Sequence, residues 1–133
     1  MRTKFSALVA GLGLLLSVMP VAAHHAFAPE FDVNKPVKLT GKITKFDMVN
    51  PHSWLYVDVK EADGKVTNWR FELGAPNALF RQGWKKDTMP VGTEVTITGF
   101  RAKSGLTVAN GRSVTMTASG KEFLSGGSNP SEK

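Results

Sequence analysis

Residues 37–48 of this chain read VKLTGKITKFDM, and their pattern decides the fold. Over residues 37–43, apolar residues alternate with polar ones, which is typical of a strand with one buried face. Further along, the apolar Phe46 and Met48 fall on the opposite parity. A slip of this kind predicts a β-bulge, and the nearby Gly41 would allow a tight bend. We therefore expect a long, bent first strand, a feature of small barrels.

The rest of the pattern predicts a strand, a hairpin turn, a second strand, a short helix and two more strands, with a short edge strand last. The turn contains the Asp63-Gly64 pair that β-hairpins favour. Within the helix, Phe80 and Trp84 are four residues apart and should share a face. The predicted bounds, in the same order, are residues 54–60, a turn at 62–65, then 66–73, 77–84, 94–100, 108–117 and 121–124.

This order of elements predicts the fold class. Five strands with one helix between the third and the fourth are the arrangement of an OB-fold. We therefore expect a mainly β protein, a small five-stranded OB-like Greek-key barrel with one short helix between strands 3 and 4. A plain β-sandwich and a β-roll are the alternatives.

Residues 1–23 have the pattern of a secretion signal, which we expect to be a helix that is removed. Arg2 and Lys4 give a positive start, an apolar run follows, and Val21-Ala22-Ala23 places small residues before the cleavage site. The apolar run is shorter than the roughly 20 residues of a membrane span, so we expect no stable membrane anchor after cleavage. The chain has no cysteine, which excludes a lipid-anchored cysteine and thiolate chemistry. The predicted location is the periplasm of a Gram-negative bacterium, or the exterior.

The chain left after cleavage should form one small domain. We expect an N-terminal arm at residues 24–35, the barrel domain at 36–124 and a disordered Gly/Ser-rich tail at 125–133. The formal net charge is +6, and the loss of Arg2 and Lys4 with the signal segment would leave +4. Such a mild positive charge disfavours nucleic acid as a partner.

All three histidines of the chain form the candidate metal site. Cleavage after Ala23 would make His24 the amino terminus, so that its α-amine and its imidazole could chelate one metal ion. His25 or His52 could then complete a planar set of nitrogen ligands, the geometry that Cu(II) prefers. Copper is therefore the candidate cofactor. The alternative is that His24 and His25 belong to an arm without function and that His52 only serves a turn.

A second candidate site is an aromatic and basic surface. Trp54 and Tyr56 lie on the strand face opposite the apolar residues of the same strand, and Arg70 of the neighbouring strand could lie beside them. OB-folds bind ligands on the face of their second and third strands through aromatic stacking and cations. The alternative is that residues 27–31 of the arm cover this surface.

Enzyme signatures are missing from the sequence. It has no glycine-rich phosphate loop, no nucleophile elbow and no metalloprotease helix. Asp58, Glu72 and Glu94 fall on separate predicted strands, where single acidic residues are expected to be solvated. We predict no catalytic residue and therefore no enzyme activity.

Three segments resemble a family of small exported bacterial proteins. They are His24-His25-Ala26-Phe27, the turn Asn50-Pro51-His52 with Trp54 after it, and residues 71–79, FELGAPNAL. The family is known only as a domain of unknown function, so the resemblance implies membership and no activity. The amino terminus alone is also similar to the histidine brace of copper oxygenases.

The combined interpretation is an exported binding or accessory protein. Its sharper form is a protein that binds copper or another late transition metal through His24 with His25 or His52. One alternative is a module that binds a small molecule, glycan or peptide through Trp54, Tyr56 and Arg70. Another is a structural or partner-binding protein of the cell envelope.

Overall fold

A computed structural model describes residues 30–127 of the chain, which form a mainly β fold with one short helix. The expected signal segment, residues 1–23, lies outside the described residues. No helix within residues 30–127 has the length and the apolar character needed to cross a bilayer. The elements are β1 (Phe31–Asp47), β2 (Trp54–Lys60), β3 (Val66–Glu72), α1 (Pro76–Arg81), β4 (Glu94–Ala102), β5 (Val108–Met116) and β6 (Glu122–Leu124).

The strands form a single sheet that returns on itself. Its order is β3-β2-β1-β4-β5-β6, and β3 also pairs with β5. This last pairing is parallel, from Arg70 opposite Val108 to Glu72 opposite Asn110, whereas the other pairings are antiparallel. Strands β1-β2-β3-β5-β4 thus make a ring-like arrangement, with α1 between the third and fourth strands. The predicted fold class is confirmed, and the single sheet differs from the two packed sheets of a β-sandwich.

β1 belongs to two parts of the ring. Gly41 is paired with Val59 of β2 on one side and with Val95 of β4 on the other. The register with β2 shifts between Ile43 and Lys45, which confirms the predicted bulge. β1 begins at Phe31, so residues 31–35, which we expected in the arm, belong to this strand.

The core is filled from the strands and from the segment after α1. The fully buried side chains of this core include Leu55, Val57, Phe71, Leu73, Leu79, Val95 and Ile97. Trp84 is also buried; its ring lies 5.5 Å from that of Phe46 and 5.4 Å from that of Phe123, and its Nε1 donates to the carbonyl of Leu124 at 2.8 Å. The segment that follows the helix therefore packs against β1 and β6.

The predicted helix ends three residues too late. It ends at Arg81, and Gly83 then has φ +89°, a conformation that commonly ends helices. Trp84 therefore lies beyond the helix and is buried, while Phe80 is 47% exposed. The expectation that Phe80 and Trp84 share a helical face is wrong for this reason.

The start of the expected tail is ordered by backbone hydrogen bonds. Ser125 is buried, its N–H donates to the carbonyl of Arg112 at 2.9 Å, and its carbonyl accepts from the N–H of Gly74 at 2.8 Å. The expectation of disorder from residue 125 onward therefore does not hold at Ser125. Residues 128–133 lie outside the described part of the chain.

We predict that Gly41→Ala destabilises the protein. A Cβ at this position would lie against the carbonyl oxygen of Asp58, closer than Cβ atoms approach neighbouring atoms in proteins. We expect a loss of about 1–3 kcal/mol in the free energy of unfolding, measured by urea unfolding. Lys42→Ala, at the exposed next position, is the control and should change stability by less than about 0.5 kcal/mol. Equal stability of the two variants would contradict the close approach at Gly41.

Candidate functional site

The structure describes four of the six predicted site residues. His52 lies just before β2, Trp54 and Tyr56 lie in β2, and Arg70 lies in β3. His24 and His25 lie outside the described residues. The candidate site is therefore built from the end of the sheet where the β1–β2 turn meets the end of β3.

Backbone hydrogen bonds hold this turn against the end of β3. The N–H of Ser53 donates to the carbonyl of Gly74 at 3.0 Å, and the N–H of Leu73 donates to the carbonyl of Ser53 at 2.8 Å. In the hairpin register, Trp54 is opposite Glu72. His52 is consequently brought next to the carboxylate of Glu72.

His52 and Glu72 are in contact, with an accessible imidazole ring beside a buried acid. The distance from His52 Nδ1 to Glu72 Oε1 is 3.4 Å, with side-chain exposures of 44% and 8%. Nδ1 is the ring nitrogen beside the carboxylate, so Nε2 is the ring nitrogen that remains available to a ligand or metal ion. A carboxylate behind an imidazole is also how many metal-binding histidines are oriented.

The environment of Glu72 perturbs its ionisation. Burial raises the pKa of this carboxyl above its ordinary value, His52 lowers it, and the neighbouring carboxylate of Glu30 raises it further, with burial the largest cause. The expectation that Glu72 is solvated is therefore wrong. The position of Glu72 near His52 could have been predicted from the hairpin. A turn at Asp63-Gly64 sets Trp54 opposite Glu72, and His52 lies two residues before Trp54.

Other buried polar groups lie close to Glu72 in the sheet. Asn110 of β5 is the parallel register partner of Glu72, and Ser53 is the residue after His52. Both are almost fully buried, and within the described part of the chain Ser53 Oγ and Asn110 Oδ1 have no hydrogen-bond partner. Buried polar atoms are usually paired, so this end of the sheet is unusually polar for an interior.

His52 and Glu72 by themselves do not make a metal site. Within residues 30–127, no group of three or more His, Cys, Asp or Glu side chains could hold a metal ion. Further ligands would have to come from outside this range. The two remaining histidines of the chain, His24 and His25, are both there.

Trp54 and Arg70 lie together at one cleft on the outer side of the same hairpin. The Arg70 Cζ is 5.2 Å from the centre of the Trp54 ring, which is a cation–π contact. The cleft has a volume of about 380 Å³, and its lining is completed by Glu30, Phe31, Ala102, Lys103, Ser104, Leu106 and Val108. Of these seven residues, only Phe31 was expected at this surface from the sequence, because the others lie before β1, in β4 and β5 and in the connection between β4 and β5.

Tyr56 lies apart from this cleft. It is opposite Arg70 in the register but does not line the cleft, and its ring is 5.3 Å from the Lys45 Nζ. The structure thus brings together two of the three residues predicted for the aromatic and basic surface. Phe31 of the segment expected to cover this surface lies in the lining and is buried; Phe27 lies outside the described residues.

Comparison with known proteins gives a family without an assigned activity. A family model described as "Family of unknown function (DUF6152)" matches residues 13–112. No curated protein and no solved structure matches the chain significantly. Any activity must therefore be argued from the residues of this chain.

The buried carboxyl of Glu72 leads to a prediction for stability against pH. Because its pKa is raised in the folded state, the unfolded chain loses this proton at a lower pH than the folded protein does. The carboxyl therefore supports folding most strongly below about pH 4, and this support is lost as the pH rises through the raised pKa.

Glu72→Gln should remove this loss of stability at higher pH, because a glutamine side chain cannot ionise. Relative to the wild type, the variant should gain free energy of unfolding as the pH rises above about 4, as measured by urea unfolding at each pH. Glu122→Gln, at an exposed position of β6, is the control and should follow the wild type. A Glu72→Gln curve parallel to that of the wild type would show that the pKa of Glu72 is not raised.

Proposed function

The chain belongs to DUF6152, a family of unknown function, and we propose that it is an exported protein that binds a late transition metal, with copper the first candidate. Membership confirms the resemblance to an uncharacterised family drawn from the sequence. The proposed ligands are the amine and ring of His24, the ring of His25 and the ring of His52. Glu72 orients His52 from behind.

The observation that carries this proposal is the contact between His52 Nδ1 and the buried Glu72 carboxylate, at 3.4 Å. An exposed histidine without a role needs no buried acid beside it, and burying a carboxylate is unfavourable unless it is paired. Such an acid holds the imidazole in one orientation and makes its other nitrogen a better ligand. His52 is thus the fixed ligand of the proposed site.

The remaining proposed ligands, His24 and His25, are only a few residues before the described part of the chain. The carboxylate of Glu30 is close enough to Glu72 to raise the pKa of Glu72. His24 is six residues before Glu30, and six extended residues span at most about 20 Å. The length of chain between Glu30 and His24 therefore allows His24 and His25 to approach His52.

Nitrogen ligands favour copper among the available metals. The proposed set is an amine with imidazoles, and Cu(II) binds such sets most tightly among the divalent first-row ions. No thiolate is available, because the chain has no cysteine. The set exists only if the signal segment is removed after Ala23, so the proposal includes export to the periplasm.

Export makes a prediction about the exported chain itself. The protein isolated from the periplasmic fraction should begin at His24, because residues 21–23 have the small side chains that signal peptidase requires. Intact-mass measurement with N-terminal sequencing checks this. Ala23→Leu is a variant that should block or displace the cleavage. A wild-type chain that begins at any residue other than His24 would remove the amine ligand from the proposal.

The metal proposal predicts how His52→Ala changes the affinity for Cu(II). In protein that begins at His24, the substitution should weaken Cu(II) binding at least about tenfold, measured by competition with a chelator of known affinity. Glu72→Gln should weaken it about 10- to 100-fold, the range for residues that orient a metal ligand. Loss of order in the site would also appear as a change in the Cu(II) electron paramagnetic resonance spectrum.

Two controls make the result specific. Asn77→Ala, at an exposed position of α1, should leave Cu(II) affinity unchanged. A chain that keeps Ala23 before His24 lacks the His24 amine and should bind Cu(II) more weakly than the processed chain. If His52→Ala binds Cu(II) as tightly as the wild type, His52 is not a ligand and the proposed site is wrong.

A further inference from the structure

The cleft beside Trp54 has two chemically different parts. One part is apolar: Phe31 and Ala102 are buried in its wall, and Leu106 is 63% exposed at its rim. The other part is charged, with the Arg70 guanidinium over the Trp54 ring. The volume of about 380 Å³ lies within the range of sites for small molecules.

Arg70 is an exposed side chain that contacts Trp54 while its hydrogen-bond donors stay available. Its contact with Trp54 uses the positive charge against the face of the ring. Within residues 30–127, no carboxylate lies within ion-pair distance of Arg70 and no hydrogen bond from its side chain is found. A guanidinium offers five N–H donors in a fork that matches a carboxylate with two parallel hydrogen bonds.

The charges of the lining favour an anion. Arg70 and Lys103 are the cations of the lining and Glu30 is its acid, and no carboxylate among residues 30–127 pairs with Arg70, so the Arg70 charge is available to an anion. A planar carboxylate matches the fork of Arg70 with two parallel hydrogen bonds and is small enough to leave the rest of the cleft to the body of the ligand. The apolar wall then requires the rest of the ligand to be apolar, since burying polar groups there without partners is unfavourable.

We infer that this cleft binds a small apolar molecule that carries one carboxylate group. The carboxylate pairs with Arg70, and the apolar body lies between Trp54 and the wall formed by Phe31 and Leu106. This site is separate from the proposed metal ligands, because neither His52 nor Glu72 lines the cleft. Binding of the carboxylate therefore does not require a metal ion.

The test uses 2-naphthoate as the probe and the whole protein after treatment with a chelator. Isothermal titration should show saturable binding, and Arg70→Gln should weaken it at least about tenfold, as expected for loss of a charge-assisted hydrogen-bond pair. Leu106→Ser, which removes apolar contact at an exposed position, should weaken it about three- to tenfold. The neutral 2-naphthamide and the small anion acetate should each bind more weakly than 2-naphthoate.

Matched variants separate the cleft from the rest of the surface. Arg81→Gln removes an exposed arginine of α1, and Val91→Ser removes an exposed apolar side chain outside the cleft. Both should bind 2-naphthoate as the wild type does, and unchanged melting temperatures should show that all four variants are folded. The inference is overturned if the wild type shows no saturable binding up to about 1 mM, if Arg70→Gln binds as tightly as the wild type, or if acetate binds as tightly as 2-naphthoate. None of these results depends on Cu(II), so the metal proposal stands or fails separately.

Discussion

The structure depends on hydrogen bonding along both edges of β1. Residues 36–42 of this strand pair with β4, and residues 41–47 pair with β2. The two pairings overlap at residues 41 and 42, and Gly41 and the register shift after Ile43 lie at this changeover, where a bulge bends a strand. The backbones approach so closely at Gly41 that only a residue without a Cβ fits. From this strand the hairpin β2–β3 and the pair β4–β5 are both positioned.

The closure of the ring of strands, by the pairing of β3 with β5, determines where the side chains of the proposed metal site lie. β3 and β5 meet only over residues 70–72 and 108–110, at the end of the sheet that also receives the turn containing His52. Glu72 is held there between the turn and β5, and its burial follows from this position. The buried acid in turn gives His52 a fixed partner. The features proposed for metal binding therefore follow from ring closure.

The two proposed sites differ in the groups that they use. The metal site uses nitrogen ligands, of which only His52 belongs to the described sheet, and an acid buried behind it. The cleft uses Arg70, in contact with Trp54, and an apolar wall supplied by β1 and the β4–β5 connection. Glu30 contributes to both surroundings, since it lines the cleft and raises the pKa of Glu72. A change of charge at Glu30 would therefore alter both the pKa of Glu72 and the charge of the cleft.

Alternation in the amino-acid sequence was enough to predict the strands, the bulge in β1 and the order of an OB-like fold. This succeeded because a strand with one buried face repeats every two residues, which a local pattern records. The same reasoning placed Trp54 and Arg70 on one surface, and the structure has them in contact. It was less successful where contacts come from distant segments: the order at Ser125, and the lining of the cleft by β1, β4, β5 and the β4–β5 connection. The end of α1 is marked locally, by Gly83.

The environment of Glu72 shows most clearly the difference between sequence and tertiary structure. The sequence by itself determined that Glu72 lies on an outward-facing position of β3, because its neighbours Phe71 and Leu73 point into the core. Only the tertiary structure decided that this outward position is buried, since the turn at His52 and strand β5 pack against it. Desolvation depends on all atoms within a few ångströms in space, and these come from residues far apart in the chain. A pattern of nearest neighbours cannot contain that information.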